Sequence, residues 1–459
     1  MQILPSGQAP ARHRQADLTL APFRGLRYAE GRVSGLAEVT SPPYDVIAAG
    51  AEDQLLAADP HNIVRLILPR HQPGEPGDSY RDAARTLAAW QRDGILVTDP
   101  VPALYVYEQT APGASAGGAP GSLVQRGLIG ALKLSPPQDG VVLPHEDVSP
   151  GPVAGRERLM SATEANLEPI LLLYDGSRPG AAARLVGDVA QHRVPLLRTR
   201  TADGAVHRLW AVTDPAELAE IAADLAPRQA LIADGHHRYA AYRQLQEKRR
   251  QAGGGAGPWD FGLAMLVDST AYPPQIAAIH RVIPRLDPQA AAKAAAAAFT
   301  VRELPGGASG LPAALADLAA AGQRGPAFLL AGGGSAFLLT DPDPDRARAA
   351  MPARHSARWR GLAPAILQEL LIGELWGITD NEDNVRIVHD DAAAAVRAAD
   401  ETAGEAADET AGGTAVISCP VSDADVYAVA AAGERVPRKA TSFAPKPRTG
   451  IVMRTFAGS

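Results

Sequence analysis

Four apolar residues, Ala230, Leu231, Ile232 and Ala233, run into Asp234-Gly235 and then His236-His237-Arg238-Tyr239. The apolar run suits a buried strand, Asp-Gly is a turn pair, and a helix is expected from Tyr239 to Arg250. A strand end and a helix start that meet at a glycine turn are where α/β proteins place anions and carry out chemistry. The helix N-terminus offers unpaired N–H groups and partial positive charge, and the planar charge of Arg238 suits phosphate. Asp234, at the strand end, is placed to act as a base or to hold a metal.

A chain of 459 residues exceeds one ordinary core, so two or three subdomains are expected. Its formal net charge of −7 argues against non-specific nucleic-acid binding. A single cysteine, Cys419, excludes an intramolecular disulfide and a multi-cysteine zinc site, and its strand-like surroundings suggest a buried structural thiol. No apolar stretch is long enough to span a bilayer, and Met1 to Gln15 contains no apolar signal core. The expected setting is cytoplasmic, with no membrane or nucleic-acid partner.

Residues 1–16 are polar and expected to be disordered. Ile63 to Leu68 reads as a strand and Tyr80 to Asp93 as an amphipathic helix closed by Gly94. Leu104 to Thr110 and Leu123 to Leu134 read as a hairpin, and Val194 to Thr199 with Val206 to Thr213 as another. Ser135 to Gly155 reads as structureless, followed by a helix from Arg156 to Ala165 and a strand from Pro169 to Asp175. Further strands are expected at Phe261 to Asp268, Val385 to Val388 and Ala415 to Pro420, with a hairpin from Phe328 to Leu339. His280 alternates onto a buried face, and His389 reads as a surface residue. The class is mixed α/β (α+β), a mixed sheet with antiparallel hairpins. The expected division is a core over 17–285 carrying the Asp-Gly-His-His-Arg turn, and a small α+β subdomain over 286–345. A C-terminal segment over 346–459 would pack back on the core, with a disordered loop at 401–413.

The turn has a plain structural reading too, in which Asp234 caps the helix and the histidines face solvent. Two histidines and an arginine together at a helix start have no evident fold role, which favours function. A second candidate is the Pro/Gly-rich stretch holding His145 and Glu146, since long loops in compact domains tend to carry function. If it folds over the turn, Glu146 and Asp234 form a carboxylate pair able to share base and metal roles. A third is the tail 437–450, whose Arg438, Lys439, Lys446 and Arg448 suit phosphate if the apolar run Ile451-Val452-Met453 docks it. Phosphate-binding, dinucleotide, zinc-helix and nucleophile-elbow signatures are absent.

Ser-Pro-Pro-Tyr-Asp-Val (41–46), Pro-His-Glu (144–146), Asn-Leu-Glu-Pro-Ile (166–170), Ala-Asp-Gly-His-His-Arg (233–238) and Pro-Arg-Lys (437–439) resemble the bacterial and archaeal "domain of unknown function 1015" family. The similarity runs from Leu18 to Arg454. Val148 stands where that family often has threonine, and Gln368 where it often has histidine. The Asp-Gly-His-His-Arg element also resembles the signature of the ParB/sulfiredoxin-like superfamily, which includes free serine kinases. That resemblance implies a ParB/sulfiredoxin-like core with additional subdomains. It implies Asp234 as the catalytic carboxylate, with Gly235, His236, His237 and Arg238 at the phosphates. Glu146, with His145 beside it, would stand for the upstream glutamate. The implied activity is a kinase-like phosphotransferase using ATP or ADP and Mg²⁺ on a small hydroxylated, serine-like metabolite, with Lys439, Lys446 and Arg448 closing over the phosphates. A metal-assisted phosphohydrolase using His145, Glu146, Asp234 and His236, and a non-catalytic nucleotide-sensing module, are the alternatives.

Overall fold

The computed structural model describes residues 17–47, 50–70, 78–114, 120–305, 310–381, 383–401 and 412–457. The stretch expected to be disordered at 1–16, and 402–411 of the loop expected at 401–413, lie outside the described residues. Two compact units divide the chain: residues 1–143, 149–273 and 447–459 form the first, and 144–148 with 274–446 the second.

In the first unit, β1 (Leu104–Ala114) and β2 (Pro120–Lys133) pair antiparallel as the expected hairpin. They join β3 (Val142–Leu143), β4 (Ile170–Tyr174), β5 (Leu197–Arg200), β6 (Val206–Val212), β7 (Ala230–Asp234) and β8 (Phe261–Asp268). The sheet order is β3-β7-β4-β8-β2-β1-β6-β5, with Leu20–Ala21 added against β2. β3 runs parallel to β7 and β4 parallel to β8, while the other pairs are antiparallel. The sheet is therefore mixed, in a mixed α/β fold.

Five longer helices accompany it: α1 (Ser79–Arg92), α2 (Pro150–Thr163), α3 (Ala181–His192), α4 (Pro215–Leu225) and α5 (His236–Gln251). Every residue of β4 and β7 is buried, as a strand covered on both faces requires. Ile170, Leu172, Ala230 and Ile232 share one core with Leu185 and Val189 of α3, Ile221 and Leu225 of α4, and Tyr239 and Leu245 of α5. Each such large apolar side chain contributes about 1.5–3 kcal/mol relative to exposure. That core is what holds the β7–α5 turn in place.

Two local expectations are corrected. Val64–Ile67 is a helical turn rather than a strand. Length and composition leave a short apolar run ambiguous, and here Asn62 decides. Its side-chain oxygen accepts from Val64 N at 2.9 Å while its amide donates to Glu38 O at 2.6 Å. The stretch 135–155 is not structureless. Val142–Leu143 pairs with Ala230–Leu231, and α2 begins at Pro150, ahead of the expected Arg156. Pro150 and Pro152 fall in its first turn, where the missing N–H groups have no intrahelical acceptor to lose.

The second unit is built on an antiparallel sheet in the order Thr300–Glu303, Ser335–Thr340, Phe328–Gly332, Thr414–Ser418, Ile279–Ile283, Arg386–His389. Period-two alternation sends Phe328, Leu330 and Val416 into one core and Leu329, Ala331 and Ile417 into the other. His280 is buried as expected and His389 exposed, while Cys419 is only partly covered. Among the described residues no helix is long and apolar enough to cross a membrane.

Each unit holds a buried histidine that resists protonation. His207, in contact with Tyr107 Oη at 2.8 Å, is lowered to about 4 by burial and then by the charge of Arg448. His280 is lowered to about 4 by burial, with Asp391 opposing. The folded protein binds fewer protons here than the unfolded chain, so this stability is complete above about pH 6.5 and is lost as pH falls towards 4. The loss amounts to about 3 kcal/mol per histidine. Urea midpoints measured from pH 7 to 4 should fall less steeply in His207→Gln and in His280→Gln. An unchanged slope in either variant would show that its histidine does not titrate in this way.

Candidate active site

β7 reaches Asp234 through a shift of register against β4 between Ile232 and Asp234. Such a bulge bends the strand and re-aims the side chain that follows. Gly235 then turns the chain in one residue, at φ 94° and ψ 32°. A Cβ there would lie 2.7 Å from Ile170 Cγ2, so the glycine serves close packing on β4 as well as the left-handed backbone. The helix starts at His236 rather than Tyr239, with Tyr239 N donating to Gly235 O at 2.9 Å. Its first-turn N–H groups have no intrahelical acceptors, as at any helix start.

Arg238, one helical turn after Asp234, folds back on it. Nη2 donates to Asp234 Oδ2 at 2.5 Å and Nη1 to Pro169 O at 2.8 Å. Arg238 is 2% exposed and Asp234 5%. The guanidinium thus sits inside the fold and orients the aspartate. Asp45 Oδ2 lies 3.8 Å from the same Nη2, with its side chain 32% exposed. Glu168, also buried, accepts from Tyr44 N at 3.0 Å and lies 3.7 Å from Arg156 Nη1. The Arg156 guanidinium stacks 4.1 Å from the Tyr44 ring centroid. Three carboxylates and two guanidinium groups therefore meet in one cluster.

Burial acts first on Arg238, Glu168 and Tyr44. It would lower Arg238, but Asp234, Asp45 and Glu168 outweigh it and hold the guanidinium above its ordinary value. It raises Glu168, against the pull of Arg238 and Arg156. Tyr44 is pushed up to about 12 by burial and then by Asp45.

His236 is buried and His237 partly exposed. The ring of His237 accepts from Ser149 N at Nε2, 3.0 Å away, which requires that nitrogen to be unprotonated. Arg448 lies in the first unit, its guanidinium donating to Thr40 Oγ1 at 2.6 Å and Thr40 O at 2.8 Å. The next residue, Thr449, donates to Glu168 Oε1 at 3.5 Å. His145, Glu146, Arg438, Lys439 and Lys446 belong to the second unit. There His145 Nε2 meets Thr441 Oγ1 at 2.8 Å, and that hydroxyl donates to Glu146 Oε1 at 3.3 Å.

Tyr44, Asp45, Arg156 and Glu168 were not among the candidate site residues. In sequence Asp45 and Glu168 appear only within the resemblance motifs 41–46 and 166–170, with no site role. Their signal is a charged residue fixed beside proline, in Pro43-Tyr44-Asp45 and Glu168-Pro169, where the backbone has little freedom. Among the described residues no group of three or more His, Cys, Asp or Glu side chains could hold a metal ion.

A family profile described as "Protein of unknown function (DUF1015)" matches residues 20–363. No curated protein matches the chain. Among solved structures, it is similar to a free serine kinase in complex with AMP, at 12% identity and TM-score 0.32, over 66% of this chain and 83% of that one. SbnI with a C-terminal truncation, from Staphylococcus aureus, matches at 10% identity and TM-score 0.32, over 69% and 82%. A conserved hypothetical protein from Pyrococcus furiosus matches at 12% identity and TM-score 0.32, over 68% and 90%.

Removing Arg238 strands buried carboxylates, whereas removing the charge of Asp234 leaves Arg238 beside Asp45 and Glu168. Arg238→Met should cost about 3–5 kcal/mol of unfolding free energy, and Asp234→Asn clearly less. Urea melts compare the two, and equal losses would mean that the guanidinium does not organise the cluster.

Proposed function

The chain belongs to the DUF1015 family of proteins of unknown function, and we propose that its first unit is a kinase-like phosphotransferase for a small hydroxylated, serine-like metabolite. One observation carries this reading: Asp234 and the partly exposed Asp45 share the guanidinium of Arg238 at the start of α5. Two carboxylates beside a helix N-terminus join what the reaction needs. A base takes the hydroxyl proton as oxygen attacks the terminal phosphorus, the bridging P–O bond breaks to release ADP or AMP, and positive potential offsets the charge of the transferring group. In this reading Asp234 is the catalytic carboxylate and Asp45 its partner at the solvent side. Arg238 is a positioning residue, and Gly235, His236 and His237 lie at the phosphates of ATP or ADP.

Carboxylate oxygens are the donors that Mg²⁺ prefers, and one or two of them with substrate phosphates make a common Mg²⁺ site. Asp45 and Asp234 would therefore hold the cation as it arrives with the nucleotide. Its chemistry there would be to offset charge on the phosphates.

Asp234→Asn and Asp45→Asn should each lower kcat/KM for nucleotide-dependent phosphorylation by about 10²–10⁴-fold, with nucleotide affinity changed far less. Phosphate transfer from labelled ATP and ADP to a panel of hydroxylated metabolites measures this. Full activity in both variants would remove Asp234 and Asp45 from the reaction. Tight nucleotide binding without transfer would favour a sensing module. Turnover of phosphomonoesters that depends on a bound transition metal and no nucleotide would favour a phosphohydrolase.

A further inference from the structure

Arg438, Lys439 and Lys446 carry three of the four tail charges, yet the proposed transfer in the first unit uses none of them. Within the second unit, Gln275–Ala277 pairs with Ser442–Ala444, and Ile279, two residues further along, pairs with His389. Lys439 and Lys446 flank the two ends of this short ladder, whose Ser442 end lies two residues from the strand pair that holds His389. Partial desolvation and then the charges of Lys439, Lys446 and Arg281 lower the imidazole of His389.

Beneath them lies an ion pair of unusual quality. Arg281 is 2% exposed, and its Nη2 donates to Arg438 O at 2.8 Å, anchoring the tail turn. Lys439 follows in the left-handed region at φ 50°, a conformation that residues other than glycine rarely adopt. Asp380, with a 6% exposed side chain, lies 3.5 Å from Arg281 Nε and 3.8 Å from Arg438 Nη2. Neither carboxylate oxygen, nor Arg281 Nε, makes a hydrogen bond among the described residues. Buried charges ordinarily recover their desolvation cost through such bonds, so this carboxylate balances charge but is loosely held. A phosphate offers more oxygens and can take paired N–H bonds from a guanidinium.

We propose that Arg281, Arg438, Lys439, Lys446 and His389 form an anion site in the second unit for a phosphate-bearing small molecule. Asp380 is the internal carboxylate that the ligand displaces. The groups of this site all belong to the second unit.

Calorimetric titration of the full chain with inorganic phosphate and with pyrophosphate tests it. The wild type should bind at least one of the two. Lys439→Asn combined with Lys446→Gln, the asparagine chosen because it tolerates the left-handed backbone, should weaken binding tenfold or more. Asp380→Asn, which removes the competing charge and keeps the shape, should strengthen it several-fold. No binding by the wild type, or wild-type affinity in the double-lysine variant, overturns the proposal. Weaker binding by a folded Asp380→Asn also overturns it. Should that variant fail to fold, the double-lysine variant decides alone. Asp234→Asn should bind as the wild type does. Stronger binding there, with the lysine variant unaffected, would assign the anion to the first unit instead.

Discussion

The guanidinium of Arg238 is the interaction on which the first unit's candidate site depends. It is supplied by α5, bonds to Asp234 at the end of β7 and to the carbonyl of Pro169 before β4, and lies beside Asp45 from the N-terminal region. Three segments far apart in sequence are thereby tied at one charge. A buried guanidinium is tolerable only where carboxylates and carbonyls replace its water. The same requirement brings Glu168 near, with Arg156 stacked on Tyr44 as the second cation.

This arrangement divides the Asp-Gly-His-His-Arg turn into two kinds of residue. Gly235 and Arg238 work inward: one allows close packing on Ile170, the other holds Asp234 in place. What remains outward is the start of α5, the partly exposed His237 and the partly exposed Asp45. A buried arginine bonded on two sides has little freedom to clamp a phosphate, yet it can fix a carboxylate to a fraction of an ångström. Reactions whose catalysis is mostly positioning and electrostatics make use of such rigidity.

Much of the fold was legible in residue order. Continuous apolar runs marked β4, β7 and β8, because a strand covered on both faces has no polar side to show. Asp78 and Asp214 begin α1 and α4 through local hydrogen bonds. Where the deciding contact was distant, the reading failed. Ile63 to Leu68 has strand composition, and its helical turn also rests on the Asn62 amide meeting a carbonyl at Glu38. The start of α2 was missed because its prolines and glycine look like a loop, although prolines are tolerated in a first helical turn.

By itself the sequence determined the chemistry available at the turn: an aspartate, a left-handed glycine and a helix start that carries histidines and an arginine. Those follow from local rules of burial and backbone sterics, which act over a few residues. Only the tertiary structure decided which charges meet there. Periodicity reports that a side chain is buried but not what it faces, so nothing local linked Asp45 or Glu168 to Arg238. Nor could residue order show that Glu146 meets Thr441, or that Asp380 lies against Arg281. Partners of buried charges are chosen by the need to replace lost solvation. That need is met by whichever segments the packing of sheets and helices brings within reach.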